Sequence, residues 1–189
     1  MGVADHSGWA VFVTVGGASS QPEVVDRRRV TLVAPELPRQ PYHAAVGLPL
    51  HDAERLIRRV ESSAARYARR ALDQLVVDLG AGTKLRAIAI RAGGRSLPST
   101  TAEILAAHAI IHAAEGALYR DALTQAAADV GVRVYEYPRH LSVNDAAPRL
   151  GTTGDRLAAH LTELGRKLGP PWQKDHRTAA VAAAEALVG

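Results

Sequence analysis

Asp5 stands inside an otherwise apolar run, Val3 to Val15, with His6 and Ser7 directly behind it. A carboxylate there is costly unless it meets a partner, a metal ion or a water-filled cleft; the plain alternative is a strand-end residue bonded to nearby backbone. Far along the chain, Lys174-Asp175-His176-Arg177 opens a helical stretch. The amide dipoles of such a start favour an anion, or the position uses Asp175 as a cap. Trp172 just before it either packs or stacks on a base. Arg91 ends a short apolar run, Leu85 to Arg91, and the carboxyl end of a central strand is where ligands bind in α/β sheets. The loop Gly93-Gly94-Arg95-Ser96 beyond it is either a plain turn or an approach for phosphate to backbone N–H groups. No Walker or GxGxxG pattern occurs.

His108, His112 and Glu115 have i, i+4, i+7 spacing, with Tyr119 one turn on. Two histidines so spaced can chelate zinc. The stripe borders the apolar face of Ile104, Ile111 and Leu118, so the preferred reading is a boundary or subunit contact, the seam of a homodimer. Arg27, Arg28 and Arg29 form one basic cluster, and Arg55, Arg58, Arg59, Arg66, Arg69 and Arg70 crowd another segment among Glu54, Glu61 and Asp73. Such faces are ordinarily solvated. They also suit a phosphate backbone.

The elements that must position these groups follow from periodicity and breakers. Residues 3–15 and 24–33 are β-branched runs separated by GGASSQP, which predicts a hairpin. Residues 34–50 hold Pro35, Pro38, Pro41 and Pro49 and read as a loop insertion long enough to be functional. A long helix starts at Asp52 and turns at Gly80. Residues 85–91 are a central strand. Thr100 and Glu103 have capping-box spacing and open a second long helix ending before Gly131. Residues 132–137 are a strand, a helix follows Thr153, and an Ala-rich helix runs from about Asp175 to Val188. A hairpin followed by βαβ units predicts an α/β fold, a mixed sheet flanked by helices in one domain over 1–189.

Composition narrows the class. The 189 residues are 47% apolar and lack Cys, so the reading is a soluble, cytoplasmic globular domain without disulfides or thiolate chemistry. No run approaches the ~20 apolar residues of a membrane span. Of 23 basic residues only Lys84, Lys167 and Lys174 are lysines, and the net charge is +4. Arginine's planar fork binds phosphate oxygens in pairs, which favours a nucleic-acid or phosphate partner unless a GC-rich genome explains the bias.

Four strings in series carry a resemblance. Val3-Ala4-Asp5-His6-Ser7-Gly8-Trp9-Ala10, residues 85–91, Val132-Arg133-Val134-Tyr135-Glu136-Tyr137-Pro138-Arg139 and the segment from Asp175 to Leu187 resemble, in order, elements of RuvC-type Holliday-junction resolvases in the ribonuclease H-like group. The resemblance covers most of the chain and leaves 34–50 as an addition. It implies a nuclease acting on DNA or RNA with Mg²⁺ or Mn²⁺, a homodimer, and Asp5 and Asp175 as metal ligands; in that reading His176 is a further catalytic candidate. It also exposes two departures. Arg91 stands where the family has a strand-end Glu, and Thr178 stands at the second acid of the closing pair. A two-cation centre needs several carboxylates to hold ions ~3.5–4 Å apart. His176, or His43 or Glu36 from the added loop, would have to complete it. The alternative is a catalytically inactive module in which Arg91, Lys174, Arg27, Arg28 and Arg29 bind nucleic acid or phosphate. A third reading has Asp5, His6, Arg91, Asp175 and His176 around a small anionic substrate, with a His as base.

Overall fold

A computed structural model describes residues 1–94 and 96–189; Arg95 lies outside the described residues. Five strands, β1 (Gly2–His6), β2 (Trp9–Ala18), β3 (Gln21–Thr31), β4 (Ala87–Arg91) and β5 (Arg133–Tyr137), form one sheet in the order β3-β2-β1-β4-β5. The first three pair antiparallel, while β1, β4 and β5 are parallel neighbours. The mixed sheet and flanking helices match the expected fold class.

The start of the chain differs from the predicted hairpin. Residues 3–15 are not one strand but two, because Gly8 at φ 81° turns the chain after His6. β2 and β3 then run through most of GGASSQP, which leaves only Ser19 and Ser20 at the turn.

The helices are α1 (Pro41–Ala45), α2 (Leu50–Leu79), α3 (Thr101–Leu105), α4 (His108–Asp129), α5 (Val143–Ala146), α6 (Gly154–Leu168) and α7 (Lys174–Val188). α1 forms within the segment expected to be a loop, with Pro41 in its first turn, where a missing N–H costs nothing. The Thr100–Glu103 capping box is present, but it opens only α3. The chain leaves the helix at Ala106 and Ala107, and α4 begins afresh at His108.

Two layers cover the sheet. One buries Val3, Phe12, Ile88 and Ile90 against Ile57, Val60 and Leu72 of α2 and Leu118 and Leu123 of α4. The other buries Ala4, Val11 and Val13 against Leu157 and Leu161 of α6 and Ala180 and Ala183 of α7. Side chains alternate along a strand. Val3 and Asp5 therefore face the α2/α4 layer, while Ala4 and His6 face α7. Among the described residues, no helix is long and apolar enough to cross a membrane.

Candidate functional site

The carboxyl ends of β1 and β4 and the segment after β5 meet the first turns of α7 around a cavity of about 400 Å³. Asp5, His6, Arg91, Arg139, Lys174, Asp175 and Thr178 line it. A second cavity of about 420 Å³ lies on the α4 side and shares Arg91 and Arg139 with the first.

Asp5 is the pivot between them. Its side chain is 3% exposed, and its Oδ2 accepts from Arg91 Nη2 at 2.9 Å and from Arg120 Nη1 at 3.2 Å. Its Oδ1 is buried with no hydrogen-bond partner among the described residues. The strand alternation explains the pairing, since Asp5 points to the layer that holds α4 and so meets Arg120. His6 points the other way, and its Nε2 meets Asp175 Oδ2 at 3.0 Å. The His6 ring also stacks on Trp9 at 4.0 Å, and the Arg29 guanidinium covers Trp9 at 3.9 Å from the ring centroid. Tyr137 is buried beside these charges. Its hydroxyl donates to the Val3 carbonyl at 2.7 Å, and burial raises its pKa.

Asp5, Arg91, Lys174 and Asp175 thus come to one place. His176 does not line this cavity. It is buried, and its Nδ1 accepts from the Gln173 backbone N–H at 3.3 Å, closing a reciprocal cap. The cap of α7 is therefore Gln173, not Asp175. Burial, reinforced by the positive charge of Arg27, lowers the His176 pKa. As pH falls through about 6.5, the unfolded chain takes up a proton that the folded chain resists, so stability should decline on that side. His176→Gln should flatten this dependence in urea titrations at about pH 7.5 and about pH 5.5; an unchanged difference would refute it.

The arginine cluster is spoken for locally. Arg27 donates to the carbonyls of Leu168, Gly169 and Pro171 at the end of α6. Arg28 pairs with Asp26 and Asp78, both at 2.7 Å. Only Arg29 stays exposed, on Trp9. On α2, Arg55, Arg58 and Arg69 pair with Asp52, Glu54 and Asp73.

The homodimer seam proposed for α4 needs correction. Glu115 and Tyr119 are 2% and 1% exposed in the single chain. Segment 34–50 covers them: the His43 backbone N–H donates to Glu115 Oε1 at 3.0 Å, and the Tyr119 hydroxyl donates to the Arg39 carbonyl at 2.7 Å. Only His108 and His112 of that stripe remain exposed. Nor do Glu36 and His43 line the Asp5 cavity: Glu36 is exposed, and His43 is bound to α4.

Sequence reasoning missed Arg120 and Arg139. A faint signal existed for Arg120, because Ala113, Ala117 and Thr124 flank it on one helical face and leave it room beside the sheet.

The donor set does not fit a pair of divalent cations. Among the described residues, Asp5 and Asp175 are the only carboxylates lining the Asp5 cavity. Asp5 is already neutralised by two guanidinium groups and Asp175 is bound to His6. Arg91 would repel a cation placed beside Asp5.

Neither a protein-family profile nor a curated protein sequence matches the chain. Among solved structures it is similar to Thermus thermophilus RuvC, with TM-score 0.49 and 13% identity over 99% of this chain and 92% of that one. It is also similar to T. thermophilus RuvC in complex with a Holliday junction substrate, with TM-score 0.51 and 13% identity over 99% and 90%. The chain therefore carries a RuvC-like, ribonuclease H-like fold.

Proposed function

We propose that this chain binds nucleic acid through its phosphates in the Asp5 cavity, on a RuvC-like fold whose cation-holding centre has become an anion-holding one. The observation that carries the reading is the ion-paired centre: Arg91 and Arg120 cancel Asp5, while Arg139 and Lys174 face the same space. Three cationic side chains, Arg91, Arg139 and Lys174, then line the cavity against two carboxylates, with Arg120 behind Asp5. A phosphate entering the cavity would compete with Asp5 for Arg91, whose side chain is 31% exposed. Asp5 meanwhile keeps both guanidinium groups oriented, so little ordering is left for binding. Lys174 adds a cation where the α7 amide dipoles already favour negative charge. The T. thermophilus RuvC structure with a Holliday junction supports nucleic acid as the phosphate source. The homodimer implied by the resemblance belongs to this proposal too, through a face that excludes buried Glu115; a monomer at every concentration in sedimentation would remove it.

Fluorescence anisotropy with labelled single-stranded, duplex and four-way-junction DNA tests the reading. Affinity should fall steeply with salt. Arg91→Ala and Lys174→Ala should each reduce the slope of log K against log salt by roughly 0.7–0.9. Salt-insensitive binding, or none, would refute it. Mg²⁺-dependent cleavage lost in Asp5→Asn would replace it with the nuclease reading.

A further inference from the structure

We infer that His43, His108 and His112 form a zinc site, separate from the Asp5 cavity and independent of its reading. The three side chains come from segment 34–50 and the first turns of α4, and their ligating atoms lie within 4.8 Å of one another. His108 and His112 turn their Nε2 atoms toward each other at 3.0 Å. The ring centroids of His43 lie 5.3 Å and 4.7 Å from those of His108 and His112.

Imidazole nitrogens suit zinc, and three histidines with a fourth position open to water make a complete ligand set. A fourth position would be open to water, because His108 and His112 are exposed.

Glu115 is the second observation. Its carboxylate is 3% exposed, and its Oε1 lies 3.2 Å from His43 Nδ1 and accepts the His43 backbone N–H. Its Oε2 has no hydrogen-bond partner among the described residues. A buried carboxylate aimed at one ring nitrogen selects the tautomer that protonates Nδ1 and leaves the Nε2 lone pair free. Carboxylates fix metal-ligating histidines in this way. Packing alone gives no reason for three imidazoles to converge beside a buried acid. The bound ion would tie α1 to α4 and so hold segment 34–50, which also borders His6 and Trp9.

Calorimetric titration of ZnCl₂ into the full, untagged, chelator-treated chain tests the site. One equivalent of Zn²⁺ should bind, and thermal unfolding should move to higher temperature as zinc is added. Co²⁺ in its place should show the visible bands of a low-coordinate ion. His108→Ala and His112→Ala remove exposed side chains, so the variants should fold as the parent does while losing the site. Glu115→Gln should weaken binding by about 10–100-fold. Absent binding would overturn the proposal, as would undiminished binding in the doubly substituted His108→Ala, His112→Ala chain. Binding lost in Asp5→Asn but kept in that double variant would overturn it too, by moving the ion to the other cavity.

Discussion

Asp5→Asn should lower stability by about 3 kcal/mol and yet tighten phosphate binding in the folded protein. The asparagine keeps the volume and one acceptor but removes the charge between Arg91 Nη2 and Arg120 Nη1. Arg120 is only 14% exposed, so water offers little compensation for its lost partner. Breaking a buried pair from one side leaves an uncompensated charge, which costs more than the pair was worth. The freed guanidinium groups then have only an incoming anion to answer. Urea denaturation measures the first effect, and anisotropy with labelled DNA the second. A variant as stable as the parent would mean that these ion pairs do not hold the strand ends together. Binding weakened tenfold or more would mean that Asp5 serves the ligand directly, as a metal-holding carboxylate does.

Gly2→Ala should cost about 3 kcal/mol as well, by a different route. A Cβ there would lie 1.9 Å from the Ala179 carbonyl oxygen and 2.8 Å from the Ala183 nitrogen. Both are backbone atoms of α7, so no rotamer change relieves the clash and the helix must move. β1 can approach α7 this closely only without a side chain. Displacing α7 shifts Lys174 and Asp175 relative to Asp5 and Arg91, so DNA affinity should drop with stability. Gly93→Ala is the control: its Cβ meets nothing within 4 Å among the described residues, and its stability should stay within about 0.5 kcal/mol of the parent. If both variants unfold at the same urea concentration as the parent, the close approach of β1 and α7 is not what places the site.

Local pattern by itself determined much of this protein. The apolar spacing of Ile57, Val60, Ala64, Ala68, Leu72 and Leu75 specifies α2, and Gly80 at φ 75° ends it. Thr153 caps the helix it was expected to open, and Thr100 caps α3 alone. Asp5 was legible as a carboxylate inside an apolar run, and Arg91, Lys174 and Asp175 because each sits at the end of an element. Other features depend on partners remote in sequence. The break at Ala106 and Ala107 has no local mark, since alanine favours helix. Arg91 and Arg120 lie 86 and 115 residues from Asp5, and only the parallel crossovers bring them together. Glu115 looked like one more polar residue on a helix stripe until α1 closed over it. Periodicity shows which face of an element is polar, but not which other element covers it. That is decided by the packing of the two layers on the sheet, which here turned a row of exposed side chains into a buried carboxylate holding His43 beside His108 and His112.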